Sequence, residues 1–266
     1  MSTRAMWITG CPLTVALVSM TPHGEANSAA PSSRPAEAMA ASTFRRKKPA
    51  CSIENSADVE IKWVDCELIT KYSADDLLGD VDGILVPGGF GNRGVEGKVM
   101  AAKYAREHDI PYLGICLGMQ TAVIEFAKHV LGYEDANSGE FAPEGKHNVI
   151  DLMPEQLGIE DMGGTMRLGA YPCVIKKGSI MERAYGKPEV QERHRHRYEF
   201  NNDYREEIEK AGMIITGTSP NGMLVEAVEI PANKFYIGVQ YHPEFKSRPN
   251  RAHPLFREFI KASLDK

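Results

Sequence analysis

Cys116 lies in Gly114-Ile115-Cys116-Leu117-Gly118, between a short apolar run and a segment of helical spacing. A thiol placed where a strand turns into a helix is the nucleophile-elbow arrangement with Cys in the place of Ser. The two glycines leave room for a crowded backbone at the nucleophile. The helix that follows aims its first N–H groups at the sulfur, and its dipole favours the attacking thiolate. The N–H of Leu117 is then a natural donor to a developing oxyanion. A lone G-x-C-x-G fits a buried structural cysteine equally well. The second half of the chemistry would come from Tyr241-His242-Pro243-Glu244. In extended chain, residues i and i+2 share a side, so Glu244 can hold one ring nitrogen of His242 and leave the other for the thiol. By itself this pair reads more plainly as a surface His beside a helix-capping Glu. Both motifs, however, sit at the C-terminal ends of expected strands, the edge where open α/β sheets collect ligands.

Two further segments could serve such a site. Pro87-Gly88-Gly89-Phe90-Gly91 follows an apolar run directly. It matches neither a Walker loop nor a dinucleotide fingerprint, and its backbone N–H groups suit an oxyanion hole shared between Gly89 or Phe90 and Leu117. Arg193-His194-Arg195-His196-Arg197-Tyr198-Glu199 alternates cation and imidazole. The interleaved arginines oppose a metal ion. As a strand the run presents three arginines on one face, suited to carboxylate or phosphate recognition. A solvated edge strand whose charges discourage aggregation is the alternative.

The elements that must position these residues are legible from residue 58 onward. Val59–Val64, Gly83–Val86 and Tyr112–Ile115 read as strands, and their continuous apolar runs suit a parallel sheet buried on both faces. Val95–Arg106 has helical spacing. Met119, Ala122, Val123, Phe126, Ala127 and Val130 line one side of a second helix, which Gly132 is placed to end. Met213–Thr218, Leu224–Ile230 and Phe235–Tyr241 are strand candidates, and a last helix opens at Pro254. The expected fold class is α/β: an open, mostly parallel sheet with helices on both faces, flavodoxin-like. Residues 1–57 form an atypical N-terminal segment, rich in Ala, Ser, Pro and Arg. Targeting peptide, disordered tail, or a first strand at 13–19 are the competing readings. Of 266 residues, 42% are hydrophobic and 25% charged, with a net charge of -5. That mild balance gives no case for nucleic acid or a membrane surface as partner, and no apolar run is long enough to span a bilayer. Five widely spaced cysteines suggest neither a disulfide framework nor a zinc site.

Together GICLG and HPEF resemble the class I glutamine amidotransferases. The segments PGGFGNRGVEGK, GGTMRLG and RHRHRYE are similar to the amidotransferase domain of the CTP synthase family, with the likeness running from about 58 to 264. The resemblance implies a flavodoxin-like amidotransferase fold over 58–266. It implies glutamine hydrolysis through a γ-glutamyl thioester on Cys116, with His242 and Glu244 completing the triad. Gly89 and Leu117 would stabilise the oxyanion. Gly118, Met119, Gln120, Glu140 and Arg197 would join them in holding L-glutamine, and Arg93 would sense GTP, the family's activator. No cofactor or metal is implied in this domain. ATP, UTP and Mg²⁺ belong to a synthetase domain that this chain is expected to lack and to which the released ammonia would pass. The family also implies a cytoplasmic setting and a full-length homotetramer. Two departures are noted. The chain alone is not expected to make CTP, and residues 20–57 do not look like the family's first helix. A different Cys-triad γ-glutamyl hydrolase and a non-catalytic interaction remnant are the other readings.

Overall fold

The structure, a computed structural model, describes residues 14–22, 42–43, 54–152 and 166–265. The expectations of a leader or tail in the N-terminal segment otherwise fall outside the described residues. In chain order the strands are β1 (Thr14–Pro22), β2 (Ser42–Thr43), β3 (Ala57–Asp65), β4 (Gly83–Val86), β5 (Tyr112–Ile115), β6 (Asn137–Ser138), β7 (Asn148–Asp151), β8 (Arg167–Ile175), β9 (Glu189–His196), β10 (Glu199–Phe200), β11 (Ile214–Thr218), β12 (Val225–Glu229) and β13 (Tyr236–Val239). The α-helices are α1 (Ala74–Leu78), α2 (Val95–Glu107), α3 (Leu117–His129), α4 (Ile180–Tyr185), α5 (Arg205–Ala211) and α6 (Pro254–Leu264).

Among the described residues, ten strands form one sheet in the order β2-β3-β1-β4-β5-β13-β12-β11-β8-β9. Its centre is parallel: β4 pairs with β5, and β5 with β13. Every residue of β5 and β13 is buried, as apolar strands covered on both faces require. Outside this centre the neighbours pair antiparallel, including β1 with both β3 and β4 and β12 with β13. The α/β class with helices on both faces is therefore as expected, while the parallel part of the mixed sheet is narrower than the apolar runs suggest. A small second sheet, β10-β7-β6, lies apart.

Two apolar cores cover the two faces. One packs α1, α2 and α3 on the sheet through residues such as Leu78, Val99, Ala102, Met119, Val123 and Phe126. The other packs α4 and α6 through Met181, Leu255, Phe256, Phe259 and Ile260. Pro254 takes the first turn of α6, where its missing N–H costs nothing, and His253 accepts a hydrogen bond from Leu255 N–H at 3.3 Å. Helix α4 starts under Ser179 and the buried Glu229, whose carboxylate accepts from the N–H groups of Ile180 and Met181 at 2.8 and 3.0 Å. A carboxylate from a distant strand thus satisfies donors that a helix cannot pair internally. No helix among the described residues is long and apolar enough to cross a membrane.

Candidate active site

The turn from β5 into α3 carries Cys116 at φ 52° and ψ -106°. A non-glycine residue at positive φ is uncommon and is held there only when its surroundings over-determine it. Here Cys116 N–H donates to Val239 O at 2.7 Å and Gln120 N–H donates to Cys116 O at 3.1 Å. That second bond opens α3, so the N–H groups of Leu117, Gly118 and Met119 precede the first intrahelical bond. Gly118 is demanded by contact: a Cβ there would lie 2.1 Å from Val86 O. The elbow is therefore pressed against the end of β4, where the glycine loop begins.

That loop meets the other half of the site. A Cβ on Gly88 would lie 2.8 Å from His242 Cε1 and 3.3 Å from Cys116 Cβ, so thiol and imidazole share one small space beside the loop. His242 follows β13 and is buried. Its Nδ1 lies 2.6 Å from Glu244 Oε1, its ring stacks on Phe245 with centroids 4.8 Å apart, and its N–H donates to Arg193 O at 2.8 Å. Burial opposes a charge on the ring. Interaction with Cys116 and Glu244 outweighs it and lifts the imidazole from 6.5 to about 10. Nε2 closes no full hydrogen bond among the described residues, as is common before substrate tightens a site.

Two of the residues expected to hold substrate are tied to the elbow helix or to the glycine loop. Gln120, buried on the first turn of α3, donates from Nε2 to Tyr198 O at 3.1 Å and to Gln240 Oε1 at 3.2 Å. Glu140 accepts from Gly91 N–H at 3.0 Å, which ties it to the glycine loop. Tyr198 lies within the electrostatic reach of both Glu140 and Arg197. Arg93 lies at the far end of the same loop, and its guanidinium forks onto Glu67 at 2.9 and 2.8 Å. The alternating run Arg193–His196 is the edge strand β9, with both arginines exposed and both histidines buried. The two imidazoles face each other at 2.8 Å. Sequence reasoning missed Gly88 as a contact of the imidazole, Gln240 as a partner of Gln120, and Arg167 as the ion partner of two buried carboxylates. HPE flags Gln240 only by adjacency, and GGTMRLG flags Arg167 only as part of a family pattern.

A family model for class-I glutamine amidotransferases matches residues 41–262, and the chain belongs to that family. Within it, the chain is similar to the glutaminase domain of Trypanosoma brucei CTPS with bound acivicin, at 45% identity and a TM-score of 0.77, covering 82% of this chain and 85% of that one. It is 60% identical over 207 residues to CTP synthases of Staphylococcus aureus strains JH9 and Newman, which covers 78% of this chain and 39% of theirs. The chain is thus an amidotransferase domain of the CTP synthase type, and it spans well under half the length of those relatives.

Proposed function

We propose that this domain hydrolyses L-glutamine to glutamate and ammonia, with Cys116 as nucleophile, His242 as base and Glu244 as the group that orients it. The observation that carries this reading is the shared space of Cys116 and His242 beside Gly88, with Glu244 at 2.6 Å on the far side of the ring. An imidazole that holds its proton next to a sulfur is the setting that stabilises a thiolate. The thiolate attacks the side-chain amide carbon, and the N–H groups of Leu117 and Gly89 receive the negative oxygen. His242 gives its proton to the departing ammonia, leaving a γ-glutamyl thioester. The same ring then takes a proton from water, whose oxygen attacks the thioester and releases glutamate. Gln120 and Arg197, with the first-turn backbone at Gly118 and Met119, hold the amino-acid end. Glu140 opposes its ammonium, and its bond to Gly91 N–H joins substrate binding to the oxyanion loop.

The ammonia would pass to a synthetase domain that aminates UTP with ATP and Mg²⁺, in a homotetrameric cytoplasmic enzyme. The amidotransferase unit itself is assigned to 58–266. Around the site, Phe90, Leu168 and Phe245 are exposed apolar side chains, with the Arg195 guanidinium 5.7 Å from the Phe90 ring centroid. Apolar surface at the mouth of a site suits a face that another domain covers. GTP would act as activator near Arg93, whose bond to Glu67 must then be exchanged.

Ammonia release from glutamine, measured with and without GTP, tests the reading. The wild-type chain releases ammonia, GTP raises the rate, and Cys116→Ala abolishes it with the fold unchanged. Equal release by Cys116→Ala would overturn the assignment.

A further inference from the structure

Beneath β9 lies a polar cluster that the triad chemistry leaves unused. His194, His196, Glu199 and Glu226 are each no more than 2% exposed. Arg167 donates to Glu226 Oε1 at 2.8 Å and to Glu199 Oε1 at 3.3 Å. His196 Nδ1 lies 3.2 Å from Tyr198 O, the carbonyl that also accepts from Gln120 at 3.1 Å. His196 Nε2 lies 2.8 Å from His194 Nδ1. Two atoms remain. His194 Nε2 and Glu226 Oε2 are buried without a hydrogen-bond partner among the described residues, and they face each other at 3.5 Å.

Donor and acceptor roles follow from one end. A carbonyl only accepts, so His196 Nδ1 carries the hydrogen. A neutral His196 then has a bare Nε2, so His194 Nδ1 carries the hydrogen that fills it. A neutral His194 is left with a bare Nε2 aimed at a carboxyl oxygen, and two lone pairs face each other unless a proton sits between them. Charge also calls for one proton within the cluster, because one guanidinium serves two buried carboxylates.

We propose that Glu226 is protonated on Oε2 at neutral pH and donates to His194 Nε2. This fixes the direction of a chain from Glu226 through His194 and His196 to the Tyr198 carbonyl. Glu226 is thereby a positioning residue for Gln120, a role that rests on the reading of Gln120 as part of the glutamine site. The groups facing the cluster agree. Burial, aided by Arg167, pushes His194 down to about 2 and His196 to about 3, and the His242 charge works the same way on both rings. Burial raises Glu226, against the pull of Arg167. Burial also raises Glu199, to about 8, with Glu226 adding to the effect. A proton on Glu199 Oε2 would meet no acceptor among the described residues, whereas one on Glu226 Oε2 meets His194. The other titratable neighbours are Cys173 of β8, itself raised by burial and by Glu226, and Tyr171 and Tyr241, whose rings meet that of His194 edge-on with centroids 5.5 and 5.9 Å away.

The test is the tautomeric state of both rings in the ¹⁵N-labelled wild-type chain, read by two-bond proton–nitrogen correlation. Both rings should carry hydrogen on Nδ1 alone and stay untitrated from about pH 5 to 8, where a free imidazole titrates. An Nε2–H on either ring, or titration of His194 in that range, would overturn the proton assignment. Glu226→Gln keeps a donor toward His194 and an acceptor for Arg167. It should preserve both tautomers and keep KM for glutamine within about twofold. Glu226→Leu removes the donor and should raise KM about tenfold with kcat little changed. An unchanged KM in a folded Glu226→Leu would overturn the positioning role. The wild-type spectra decide the proton even if that variant does not fold or the chain releases no ammonia.

Discussion

Gly88→Ala places one methyl group against both the Cys116 side chain and the His242 ring. The new carbon would lie 2.8 Å from His242 Cε1 and 3.3 Å from Cys116 Cβ. Carbon atoms settle at about 3.5–4.0 Å, so the ring must retreat by about 0.7 Å or more. It has little freedom to do so, being held at 2.6 Å by Glu244 and stacked on Phe245. Overpacking of this kind costs about 1–3 kcal/mol of stability. The loss in rate should be larger than the melting shift suggests, because a displacement near 1 Å at a reacting centre costs about a hundredfold. The expected result is a folded variant whose kcat for ammonia release falls about a hundredfold with KM for glutamine little changed. Coupled ammonia detection and a thermal melt on the same sample give both numbers. A folded Gly88→Ala with wild-type kcat would refute the argument that thiol and ring work across this gap.

Three other outcomes are expected. Gly118→Ala should fail differently, because its Cβ meets the Val86 carbonyl at 2.1 Å and backbone cannot swing aside; urea unfolding should show a loss of about 3 kcal/mol. Because His242 is raised from 6.5 to about 10, its contribution to stability is fully present below pH 6.5 and lost as pH climbs through about 10. The thermal midpoint should fall over that window in the wild type and less steeply in Glu244→Gln. A parallel fall in both would remove Glu244 as a cause. Labelling of the thiols by a glutamine-like alkylating agent is the third outcome.

The placement of Cys116 beside His242, and of Glu244 on that ring, was legible in the sequence because each half of it is local. Gly114 to Gly118 encodes a strand-to-helix turn, and His242 with Glu244 needs only the two-residue repeat of extended chain. The central strands and helices α2, α3 and α6 were legible from apolar periodicity. The sheet's mixed pairing was not, because continuous apolar runs report burial on both faces and not strand direction. Strand β8 hides behind Gly169 and Pro172, two residues that read as breakers. In β12, Val225-Glu226-Ala227-Val228-Glu229 carries two acids, yet all five residues are buried. Its two acids are satisfied by groups far along the chain, Arg167 for Glu226 and the start of α4 for Glu229. Helix α4 has a local cap in Ser179, but the acceptor for its first N–H group comes from a strand 49 residues away in sequence. The polar cluster under β9 was invisible for the same reason: RHRHR shows alternation but not which face is buried.

The central claim is a selectively activated sulfur, and peptide mapping after reaction with the glutamine-like alkylating agent tests it most directly. Cys66, Cys116 and Cys173 are all buried thiols, so accessibility alone does not choose among them, and burial pushes Cys173 up. One adduct is expected, on Cys116, prevented by excess glutamine and slowed in His242→Ala. An adduct on Cys66 or Cys173 with Cys116 unmodified would contradict it.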